Sequence, residues 1–117
     1  MPKISPRPEI VGHPLYQATM SAQHAAYLLM RDVPADRKAD AARLHAACVH
    51  LTTWATAALD PGEDRPTAWR ELARVVAEAK ARVAPLGDVA DDAANPDALA
   101  TKLDEIAAAA EEGLRAA

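Results

Sequence analysis

The chain has 117 residues, a formal net charge of −4 and a 50% share of hydrophobic residues. Thirty residues are alanine, four are aromatic, none is Phe, and Cys48 is the single cysteine. This is one domain of ordinary size, too apolar and too poor in glycine to be disordered, and without the second cysteine that an internal disulfide needs.

Alanine favours helix and disfavours strand, so the composition predicts an all-α fold. The chain opens with Pro2, Pro6, Pro8 and Pro14, which predicts an extended arm over residues 1–13 and argues against a helical signal segment. No apolar run approaches the roughly 20 residues of a membrane span. The expectation is a soluble, cytoplasmic protein. Abundant Ala, Asp, Arg and Pro with scarce Lys, Asn and Ile fit a high-GC bacterial gene.

The first helix is expected over 14–31, with Pro14 at the first helical position and a stripe of Leu15, Ala18, Ala22, Ala26 and Leu29. Asp32-Val33-Pro34 breaks it. A second helix over 35–59 carries Ala41, Leu44, Cys48, Leu51, Ala55 and Ala58 on one face, and Asp60-Pro61-Gly62 stops it. A third, over 66–84, spaces Trp69, Leu72, Val76, Ala79, Val83 and Leu86 as a bundle seam. Asn95-Pro96-Asp97 announces a fourth over 96–112, with Leu99, Leu103, Ile106 and Ala110 as its stripe and Gly113 as its stop. A further helical turn has room in 86–95. Short connections predict an up-down four-helix bundle, or three long helices plus an accessory C-terminal one.

The first helix has more apolar surface than one seam uses. Tyr16, Met20 and Tyr27 lie on a rim roughly 100–140° from the main stripe, and Leu28 is expected further out still, opposite it. Three covers are open: the arm folding back through Ile4, Ile10 and Val11, a second copy of the chain, or a ligand or other partner. On the second helix, His45, Thr52 and Thr56 share a rim. If it faces the rim of Gln23, Tyr16 and Tyr27, a small polar-aromatic cleft results. Helical threonines otherwise bond back to their own turn.

Motifs for chemistry are missing. His45 and Cys48 are three apart, but His50 turns away and His24 is expected to point outward, so a zinc set is incomplete. No Glu stands three residues before a His, which excludes a ferritin-like di-iron centre. Neither Ser5 nor Ser21 sits in a nucleophile elbow, and apolar neighbours should raise the Cys48 pKa. The four glycines are too far apart for a phosphate loop. Arg70, Arg74, Lys80 and Arg82 alternate with Glu71 and Glu78, and residues 86–117 carry eight acids against two bases, so nucleic acid is an unfavoured partner. Lys80 is expected to snorkel beside the seam. No cofactor, metal or catalytic residue is implied. The sequence favours a non-enzymatic helical interaction protein: a homodimer, or an accessory factor for another protein. The second reading is a small-molecule-binding bundle or cofactorless enzyme, with its cleft between the first two helices.

Overall fold

A computed structural model describes residues 7–62, 64–86 and 96–116. Among them the chain forms α1 (Pro8–Val11), α2 (Pro14–Asp32), α3 (Lys38–Leu59), α4 (Arg65–Val83) and α5 (Pro96–Ala116), with 3₁₀ turns at Ala35–Arg37 and Ala84–Leu86. The four long helices are an all-α bundle, and none is long and apolar enough to cross a membrane.

The start of α2 follows the sequence signal. Pro14 occupies the first turn, and the His13 Nδ1 accepts a hydrogen bond from the Leu15 N–H at 3.0 Å. At the other end Val33 is extended, as a residue preceding proline prefers to be. The next helix starts later than expected, at Lys38. Pro34 to Arg37 close a 3₁₀ turn instead, with the Arg37 N–H on the Pro34 carbonyl at 2.9 Å. Lys38 then reaches back, its Nζ donating to the Met30 and Arg31 carbonyls at 2.9 and 2.6 Å. Those carbonyls belong to the last turn of α2, where free acceptors and the negative helix end favour a cation.

Asp64 caps α4 through its carboxylate, which accepts from the Thr67 N–H at 3.2 Å and the Thr67 hydroxyl at 2.8 Å. These bonds hold its pKa below the usual carboxylate range, the side-chain bond having the larger effect. The Asn95 cap expected for the last helix, and any turn in 87–95, lie outside the described residues.

Contacts between helices fix their directions. Met20 and Gln23 of α2 lie by Thr52 of α3, whereas Tyr27 lies by His45, so these two run antiparallel. Between α4 and α5, Lys80 pairs with Asp104 at 2.8 Å while Trp69 meets Gly113. The last helix is therefore docked. It also packs on α2, closing the ring of four.

Leucines at 29, 44, 51, 72, 86, 99 and 103 and Ile106 fill the core, and buried alanines from every long helix let the backbones approach. Most stripe positions are the expected ones, with departures: on α4 Trp69 is half-buried while Ala68 and Val75 are buried, on α3 Ala47 joins the buried face, and α2 makes one exchange. Thr19 is fully buried where Ala18 was expected, and its hydroxyl donates to the Tyr16 carbonyl at 2.8 Å, which removes the cost of burying it.

The described part of the arm departs from an extended chain. Pro8–Val11 is one helical turn that buries Ile10, and Arg7 comes within 3.8 Å of Asp60 at the end of α3. Proline at the first turn loses no hydrogen bond, so an arm rich in proline can still start a helix.

Candidate functional site

The rims of α2 and α3 that the sequence singled out do meet. Thr52 donates its hydroxyl to the Gln23 side-chain oxygen at 3.1 Å and lies 3.9 Å from the Met20 sulfur. One turn and a half away, Tyr27 and His45 meet edge to face, with ring centroids 6.2 Å apart. Between these two links is an open hollow of about 270 Å³ lined by Met20, Gln23, His24, Tyr27 and His45. Thr56 contributes no polar group to it, because its hydroxyl donates to the Thr52 carbonyl at 2.8 Å in its own helix. Tyr16 does not line this hollow; it is half-buried nearer the start of α2, where its carbonyl holds Thr19.

Two directions differ from expectation. Leu28 is half-buried against the core and lines a second hollow of about 450 Å³ on the α5 side of α2, with Gln17, Ser21 and Ala98. It is not opposite the main stripe, because α2 is packed on two sides, by α3 and by α5. His24 is exposed, yet it borders both hollows and so shares one with His45. Met20 and His24 thus form a ridge between two depressions.

The described part of the arm does not cover that ridge. It packs at the start of α2, where the Val11 carbonyl accepts from Gln17 at 2.6 Å, and it leaves Met20 41% and Tyr27 47% exposed.

Cys48 is fully buried in the core, while His45 faces the α2 side, so the two do not converge. Desolvation pushes the Cys48 thiol up to about 12, which leaves it a small apolar side chain at neutral pH. Among the described residues no group of three His, Cys, Asp or Glu is placed to hold a metal ion. His50 is exposed on the outer side of α3.

A gap in the charge pattern of the sequence falls on this face. From Pro14 to Met30, and again from Leu44 to Leu59, there is no Asp, Glu, Lys or Arg. These two runs are most of α2 and of α3, which lie side by side. By contrast, α4 carries Arg74 paired with Glu71 and Arg82 paired with Glu78, and α5 pairs Lys102 with Glu105 and Arg115 with Glu112. Charge is segregated by helix pair.

Compared with protein-family models, curated proteins and solved structures, the chain matches none.

Proposed function

We propose that this chain is a non-enzymatic interaction module that self-associates through the outer face of the α2–α3 hairpin. The carrying observation is a solvent-facing helical surface with no charged side chain over 14–30 and 44–59, from which Met20 and Tyr27 project. Interface centres are depleted in charge and enriched in Tyr and Met, whereas a helix face meant only for water is normally studded with Lys and Glu.

A second copy is the occupant that this chemistry fits. Two-fold pairing sets one uncharged surface on another. A strongly acidic or basic partner would lose hydration there and gain no opposite charge. The face measures on the order of 25 by 20 Å, from helix rise and interaxial spacing. That footprint belongs to the small, exchangeable class of dimer rather than the obligate class. Binding of a small molecule between α2 and α3 is less well served, because the hollow of about 270 Å³ falls below the usual range of enclosing pockets.

Sedimentation equilibrium over a range of concentrations tests the reading. The wild type should show a reversible monomer–dimer equilibrium. The double variant Met20→Glu, Tyr27→Glu should weaken it on the order of 100-fold or more by burying like charges. Both side chains are exposed, so helicity should be retained. A wild type that stays monomeric at its highest soluble concentration overturns the proposal.

A further inference from the structure

The α2–α3 face holds no carboxylate and no lysine or arginine, yet it holds histidines. His24 stands on the ridge of α2, and His45 faces it across the hollow from α3. We infer that protonation of His24 and His45 opens the self-association proposed above, so that the dimer forms at neutral pH and dissociates in mild acid. This rests on that proposal and adds the regulation of the same surface.

The chemistry follows from what surrounds the two rings. Histidine is the side chain whose charge changes between pH 5 and 8. Across their shared hollow, the other residues are Met20, Gln23 and Tyr27, and none of them is charged at neutral pH. On the α5 side of His24 the lining adds Gln17, Ser21, Ala25, Leu28 and Ala98, again without charge. The charged residues flanking Ala98 on α5 are Asp97 and Lys102, and Lys102 is engaged by Glu105 at 3.3 Å. On α3 the charge closest in sequence to His45 is Arg43, which is paired with Asp40 at 3.3 Å. Among the described residues no carboxylate lines either hollow. His45 packs edge to face on Tyr27, which is 47% exposed in the single chain; a second copy seated on this face would bury the pair, and a charged ring at such a contact needs water.

The sign is fixed by linkage. A buried contact favours the neutral imidazole, so separated protomers bind more protons than the dimer, and association weakens as pH falls. The drop from about pH 7.5 to about pH 5.5 should therefore raise Kd by about tenfold or more. The experiment is sedimentation equilibrium across that range, with circular dichroism at each pH, on the wild type and on His24→Gln, His45→Gln. The expected result is a wild-type dimer at neutral pH that becomes monomeric and remains helical in acid, while the double variant stays dimeric throughout. A wild-type dimer that persists in acid overturns the switch and leaves self-association standing. Acid dissociation of the double variant equal to that of the wild type also overturns it. A wild type already monomeric at neutral pH overturns both. Should the double variant not dimerise at all, the wild-type slope of log Kd against pH decides: proton uptake on dissociation supports the switch, and a flat line ends it.

Discussion

Gly113 shows how a single residue can carry opposite meanings in a sequence and in a fold. Glycine near the end of a helical pattern is ordinarily a stop signal, because it accepts the left-handed conformation that ends helices. Here α5 continues through it to Ala116, and no described glycine has a positive φ. The residue is small because the Trp69 indole occupies the space where a Cβ would stand. Gly113→Ala therefore sets two effects against each other. Helix propensity gains about 1 kcal/mol, whereas displacing a part-buried indole packed on the core costs about 1–3 kcal/mol. The expected net outcome is a less stable protein with altered Trp fluorescence, read by urea denaturation. A more stable variant would mean that the indole moves aside freely.

Helix ends divide into those closed by local chemistry and those closed by a neighbour. Asp64 closes α4 locally, and its depressed pKa gives the cap a pH signature. A folded-state pKa below the unfolded one means the stabilisation is present above the ordinary aspartate range and is lost as pH falls through the folded value. Asp64→Ala should lower the urea midpoint at neutral pH, and the gap to wild type should close in acid. Asp64→Asn, which also caps but does not titrate, should lack that dependence. A gap that is independent of pH would remove the charge from the account. The end of α2 is closed from a distance, by Lys38 across the 3₁₀ turn. No local pattern around Met30 announces that bond.

At the scale of the whole molecule, the segregation of charge is the organising fact. Ion pairs such as Lys80–Asp104 at 2.8 Å coat the α4–α5 side, while α2 and α3 present Met, Tyr, Gln, Thr and His. Exposed pairs of that kind contribute little stability, but they keep one side of the bundle well hydrated. If the uncharged side is where copies meet, association at neutral pH should be nearly independent of ionic strength. The expected change in Kd between low and high salt is less than about threefold. A steep weakening with salt would place the contact on the charged side instead.

Most of the helical architecture was legible in the residues themselves. Proline at 14 and 66, the Asp60-Pro61-Gly62 break and the leucine stripes are local signals, and local signals act through backbone sterics and side-chain period. The meeting of the Gln23–Tyr27 and His45–Thr52 rims was legible only as a condition, since periodicity says which residues share a face and not which faces meet. Tertiary structure decided the rest. It turned Leu28 inward because two helices flank α2, made Gly113 a packing residue because Trp69 lies across it, and set two uncharged runs, separated in sequence, side by side. Those outcomes depend on contacts between residues far apart in the chain, which no local pattern encodes. The sequence by itself determined where the four long helices form and most of the stripe that each one buries. The pairing of helices determined what surface is left over.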